Sequence, residues 1–146
     1  MFYYDSNLEF YSASLLNITD AVYSLNSKDL MYFGKPYWLH KDRWDIEKNK
    51  QYIVNRERQI QTMDVCYLDC YIRPVLEIRS LGSFRVGNIF SIGNYKFKII
   101  TPDIAWLYKQ DIGKDYFDDK SNDYETSHVK QVVDAWYKDE LSLEMK

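Results

Sequence analysis

Tyr71-Ile72-Arg73-Pro74-Val75-Leu76-Glu77-Ile78 is the stretch that decides the fold. Apolar side chains occupy both alternating sets of positions from 72 to 78, the pattern of a central strand covered on both faces. It reads like the closing strand of a domain, yet it lies mid-chain. Residues 84–90 and 95–100, which follow it, read like opening strands. Gly93-Asn94 between Ile92 and Tyr95 predicts the tight turn that joins two of them. Gly82 and Gly87 mark turns or bulges, and Pro102-Asp103 bends the chain toward Ile104-Ala105-Trp106-Leu107.

A polar loop over 114–123 then feeds a helix predicted over 127–141. Val129, Val132, Val133, Trp136 and Tyr137 recur at helical spacing and form one apolar face. Thr126 or Ser127 is placed to cap its start, and Glu125 suits the positive end of its dipole. The last residues are expected to fray.

Upstream of the deciding stretch, residues 8–17 read as a strand entering a short helix. That helix is capped by Thr19 or Asp20, carries Ala21, Val22 and Leu25 on one face, and is ended by Asn26-Ser27-Lys28-Asp29. Pro36 blocks helix before a strand over 37–44, and 45–50 is a charged turn. Residues 51–60 alternate Tyr52, Val54, Arg56, Arg58 and Ile60 with Ile53, Asn55, Glu57 and Gln59. Neither set is cleanly apolar, so an edge or exposed hairpin is expected. Met63, Val65 and Tyr67 point one way from a further strand.

The chain of 146 residues is long enough to bury roughly two-thirds of its unfolded surface without staples. No repeat, low-complexity tract or linker divides it, so residues 1–146 are read as one domain. A hydrophobic share of 46% with 28% charged residues is that of a globular chain. Fourteen tyrosines suit a mixed β core and contact surfaces, since the ring packs while the hydroxyl stays bonded or wet. A net charge of −3 argues against nucleic acid as partner. Arg56, Arg58, Arg73, Arg79 and Arg85 around the middle strands read as a solvated sheet face. Apolar runs fall short of a membrane span, and Asp5, Asn7 and Glu9 interrupt any signal peptide, so synthesis in the cytoplasm is expected.

Cys66 and Cys70, four apart in an expected strand, have Cα atoms about 13 Å apart, too far for a disulfide. They read as small core hydrophobes in a reducing compartment. With His40 and His128 isolated, no zinc site follows. Trp38, Trp44, Trp106 and Trp136 are candidates for an aromatic platform. Trp106 and Trp136 sit in apolar patterns and read as core, and Trp44 is the candidate for exposure. The oxygen-rich run Asp118-Asp119-Lys120-Ser121-Asn122-Asp123 lacks the glycine and terminal glutamate of an EF-hand loop and reads as a polar loop leading to a cap. Neither a metal nor another cofactor is expected. Arg73, inside an apolar strand just before Pro74, must be paired or reach water.

Taken in the order 80–141, 8–36, 37–79, these segments resemble the DUF6273-type domain of Firmicutes and phages, whose fold is related to the C-type-lectin-like and sulfatase-modifying-factor group. The motifs that carry the resemblance are Tyr95-Lys96-Phe97-Lys98-Ile99-Ile100, Tyr124-Glu125-Thr126-Ser127-His128-Val129 with Trp136, Leu15-Leu16-Asn17-Ile18-Thr19-Asp20, Tyr37-Trp38-Leu39-His40 and Ile72 to Ile78. Arg-Pro-Val-Leu and the Tyr-x-Thr-Ser helix entry are the most specific. The order is rotated, a circular permutation that suits compact domains with neighbouring termini, and His40-Lys41 replaces the family's Arg-Ser.

The resemblance implies an α+β fold, C-type-lectin-like, with a twisted, mostly antiparallel sheet and two short helices. It also implies Asp123 or Glu125 as partner for Arg73. The formylglycine-generating relatives imply cysteine chemistry, for which no motif surrounds Cys66 or Cys70, so no catalytic residues are expected. The expected role is a non-enzymatic structural or assembly protein of a bacteriophage virion, a possible homo-oligomer whose partners are other virion subunits. Tyr52, Ile53, Asn55, Arg56, Glu57 and Arg58 are the expected interface, with the charges fixing register and the apolar side chains buried by a neighbour. One alternative is a glycan-binding module using Trp44, Asp118, Asp119 and Asn122. The other is a small inhibitor of a host enzyme or defence complex. Arg73, Pro74, Trp106, Thr126, Ser127 and Trp136 are expected to serve the structure.

Overall fold

The computed structural model describes residues 2–5, 8–23, 25, 34–42, 46–80 and 84–144. Strands β1 (Phe2–Asp5), β2 (Leu8–Leu15), β3 (Tyr37–Trp38), β4 (Lys50–Val54), β5 (Ile60–Asp64), β6 (Pro74–Ser80), β7 (Ile89–Ile92), β8 (Tyr95–Thr101) and β9 (Ile104–Leu107) form two antiparallel sheets. The larger has the order β1-β2-β6-β9-β8-β7, and the smaller β3-β4-β5. Helix α1 is Ile18–Tyr23. Helix α2 is His128–Ala135, preceded by a 3-10 turn at Tyr124–Thr126 and prolonged by a π-helical segment, Trp136–Leu141. The chain is thus a single α+β domain with mostly antiparallel sheets and few helices.

The deciding stretch is central, as its pattern predicts: β6 lies between β2 and β9. Its alternation feeds two cores. Leu76 and Ile78 point to a cluster with Phe97, Ala105, Leu107, Trp136 and Leu141, while Val75 joins Trp106, Ile100, Leu16, Ile18, Tyr37 and Val54 on the other face. Pro74 opens β6, where a missing ladder N–H is tolerated. The Gly93-Asn94 turn joins β7 to β8 with Gly93 at φ 57°, and Gln110 clamps it by donating to the Asn94 carbonyl and accepting from the Lys96 N–H.

Helix α2 starts where expected. Ser127 Oγ accepts from the Lys130 N–H at 3.0 Å, and Thr126 Oγ1 closes the preceding turn on the Asp123 carbonyl. Val129, Val133 and Trp136 are buried. Trp136 and Leu141, five apart, both reach the first core because the last segment winds with the i→i+5 bonding of a π-helix.

Several expectations are corrected. Asn17 caps α1, its side-chain oxygen accepting from the Asp20 N–H at 2.7 Å, and Val22 on that helix is exposed. The strand expected over 37–44 is limited to Tyr37–Trp38 among the described residues. The strand after the hairpin ends at Asp64, so Val65 and Cys66 form a turn; Cys70 is buried and Cys66 exposed. Only the tip of the 51–60 hairpin is exposed, at 56–59: β4 is the middle strand of its sheet and no edge, and Gln51, Tyr52, Ile53 and Val54 are all buried. Both faces of β4 are covered, Tyr52 and Val54 by the second core and Ile53 by a third with Trp38, Phe117, Val129 and Val133. Asn26, Ser27, Lys28, Asp29 and Gly82 lie outside the described residues.

Arg73 is buried, and neither Asp123 nor Glu125 pairs with it. Its Nε donates to the Leu107 carbonyl at 2.9 Å, and the guanidinium lies 3.4 Å from the Trp106 ring centroid and 5.0 Å from that of Tyr37. A planar, weakly hydrated cation is stabilised by such ring faces. Asp123 caps the 3-10 turn through the Glu125 N–H.

Candidate functional site

The expected interface divides at Val54. Tyr52 and Ile53 are buried by this chain's own cores, which corrects the expectation that a neighbour buries them. Beyond Val54, which pairs with Ile60, the chain turns through Asn55-Arg56-Glu57-Arg58-Gln59. The Arg58 N–H donates to the Asn55 carbonyl at 3.0 Å and the Asn55 N–H to the Gln59 carbonyl at 2.8 Å. This is a type I turn followed by a bulge, whose third loop residue must be left-handed. Arg58 fills that position at φ 68°.

The Asn55 side chain holds the turn. Its Oδ1 accepts from the Glu57 and Gln59 N–H groups at 3.0 and 2.9 Å, and its Nδ2 donates to Gln61 at 2.7 Å. Arg56, Glu57 and Arg58 are exposed, and neither arginine forms an ion pair or side-chain hydrogen bond among the described residues. A rigid tip therefore presents two unpaired guanidiniums, and one of them stands on a backbone conformation that glycine adopts more cheaply. Arg58→Gly is expected to stabilise the fold by about 0.5–1 kcal/mol, raising the melting temperature by a few degrees. A drop on thermal melting would show that the arginine side chain stabilises the monomer.

At the opposite end of β4, loop 115–123 is strapped across the small sheet. Buried Gln51 donates to the Asn122 carbonyl at 3.0 Å, and the Asn122 side chain donates to the Glu47 carbonyl at 3.0 Å. Asp118 accepts from the Lys120, Ser121 and His128 N–H groups. An open groove does bring Asp118, Asp119 and Asn122 together with Lys41, Lys48 and Ile46. The polar atoms of Asp118 and Asn122 hold the loop, which leaves Asp119 exposed as the free carboxylate of that set. Trp44 lies outside the described residues.

Cys66 is exposed, yet desolvation by the surrounding chain, then the carboxylates of Asp64, Asp119 and Asp118, hold its thiol above its ordinary value. Burial raises Cys70 further. Both favour the unreactive thiol over the thiolate. His128 Nε2 lies 2.8 Å from Asp115 Oδ2 with its ring stacked on Tyr116.

A cleft of about 210 Å³ opens where the second core stops short of the sheet end. Its floor is Leu15, Leu16, Val75 and Ile104; Ser12, Ser14, Asn17, His40 and three carboxylates, Asp20, Glu77 and Asp103, complete it. These come from β2, its link to α1, α1 itself, the segment after β3, β6, the β8–β9 turn and the start of β9, so no spacing in the sequence announces them. The β2–β6 register sets Ser12 opposite Glu77, and their side chains bond at 3.1 Å.

His40 stacks on Tyr124 at 4.9 Å, and burial lowers its imidazole below the ordinary value of 6.5. A lowered folded value means that the unfolded chain binds more protons below 6.5. The stability is therefore intact above that pH and lost progressively as the pH falls toward the folded value. His40→Gln should flatten this fall in a series of melts between neutral and mildly acidic pH; an unchanged slope would place its origin in other groups.

No family model, curated protein or solved structure matches this chain. No helix among the described residues is long and apolar enough to cross a membrane.

Proposed function

We propose that this chain is a non-enzymatic structural protein of a bacteriophage virion, working through protein–protein contacts made by the 55–58 hairpin tip. The observation that carries the reading is the tip itself: two exposed arginines, unpaired among the described residues and one of them at φ 68°, stand on a turn whose backbone the Asn55 side chain holds. The turn demands a left-handed residue that glycine would supply more cheaply, so an arginine at this exposed position has its use in what its side chain presents. The tyrosine-rich composition and the resemblance in the family motifs support the same reading. With it goes the finer reading of the fold as a C-type-lectin-like unit in the permuted order 80–141, 8–36, 37–79, which the antiparallel architecture suits.

Arg56→Glu combined with Arg58→Glu should weaken incorporation into particles at least about tenfold, because a preorganised charged contact is turned into repulsion. The melting temperature should stay within a few degrees, since both side chains are exposed. Incorporation unchanged by the double reversal, or purified particles in which mass spectrometry finds no such chain, would remove the proposal.

A further inference from the structure

The cleft around His40 and the hairpin tip are complementary. Among the described residues, the cleft lining holds three carboxylates and no lysine or arginine. The Asp20 and Asp103 carboxylates form no ion pair or hydrogen bond among the described residues, and Glu77 accepts from Ser12 alone. At about 210 Å³ the space is below the roughly 300–1,000 Å³ of pockets that take a whole small ligand, so it suits the head of one side chain. An apolar floor under a carboxylate rim matches arginine in particular, whose methylene stem packs while its planar head forks onto carboxylates. On the same molecule, Arg56 and Arg58 stand unpaired on a preorganised tip, and no tip residue lines the cleft.

We propose that the tip of one copy docks head to tail into the cleft of a second copy, an arginine entering between Asp20, Glu77 and Asp103. This rests on the reading of the chain as an assembly protein and names the surface that receives the tip. Docked head to tail without the reciprocal contact, the pair is heterologous: each docked copy still offers a free tip or a free cleft. Association then continues past the dimer, closing into a ring or extending as a filament. The contact is built from charges at its rim, so it weakens as salt shortens the screening length.

The test is sedimentation velocity of the full chain over a wide concentration range at low and high salt. Wild type is expected to form species larger than a dimer that dissociate in high salt. The tip variant, Arg56→Ser with Arg58→Ser, and the cleft variant, Asp20→Asn with Asp103→Asn, are each expected to associate at least about tenfold more weakly. An equimolar mixture of the two should yield a discrete dimer, because one variant keeps its tip and the other its cleft.

Melting curves establish that each variant is folded; should the cleft double variant fail, Asp103→Asn alone carries the same expectation. Wild type that stays monomeric throughout overturns self-docking, whatever the particle measurement shows for the tip. Association that the tip variant loses, the cleft variant keeps and the mixture does not restore overturns the cleft as receptor while leaving the tip contact standing.

Discussion

Arg73→Ala is expected to destabilise the protein by about 3–5 kcal/mol, enough to remove a large part of a typical domain's stability. The side chain is 1% exposed and joins the sheets: its Nε bonds the Leu107 carbonyl of β9, and its head lies over the Trp106 ring and beside that of Tyr37. Truncation leaves that carbonyl without this donor, about 1–3 kcal/mol, and removes a desolvated cation–π contact of about 2 kcal/mol. It also opens a void in the second core. Arg73→Lys keeps the charge but loses the plane that matches the ring faces, and should fall between wild type and alanine. Urea midpoints measure the series. A loss below about 1 kcal/mol for alanine would mean that the site relaxes around the gap, contrary to the packing described.

Trp38→Ala is expected to cost about 3–5 kcal/mol as well, with a different local signature. Trp38 is fully buried in the third core, edge-on to Phe117 at 5.5 Å, and its Nε1 donates to the Asp115 carbonyl at 2.9 Å. It thereby anchors the start of loop 115–123 to the small sheet. Amide exchange in that loop should accelerate beyond the global loss of stability, because Asp115 and Phe117 both lose their anchor. Trp38→Phe refills most of the volume but leaves the Asp115 carbonyl unbonded, so it should retain stability and still loosen the loop. Equal exchange of the loop in Trp38→Phe and wild type would separate the anchor from the indole N–H.

Much of the fold was legible because it is local. Alternation over 72–78 marks a central strand, Gly93-Asn94 fixes a hairpin through the positive φ it permits, and Val129, Val133 and Trp136 with Ser127 before them set the face and start of α2. The candidate site was legible in part. Asn55, Arg56, Glu57 and Arg58 stand at a hairpin tip as expected, but the glycine-free loop gave no hint that Arg58 takes the left-handed position.

The sequence by itself determined the central strand β6, the β7–β8 turn and the last helix, since the 2.0 and 3.6 periodicities and turn chemistry act over neighbouring residues. Tertiary structure decided what each face meets. Gln51, polar in sequence, is buried because Asn122, far along the chain, accepts its amide hydrogen. Cys66 is exposed because its strand ends at Asp64. Arg73 rests on aromatic faces instead of Asp123 or Glu125 because β9 brings Trp106 beneath it. The acidic cleft exists because the second core covers Val75 but not Glu77 on the same face of β6. Burial and pairing depend on residues distant in the chain, and only the packed sheets bring those together.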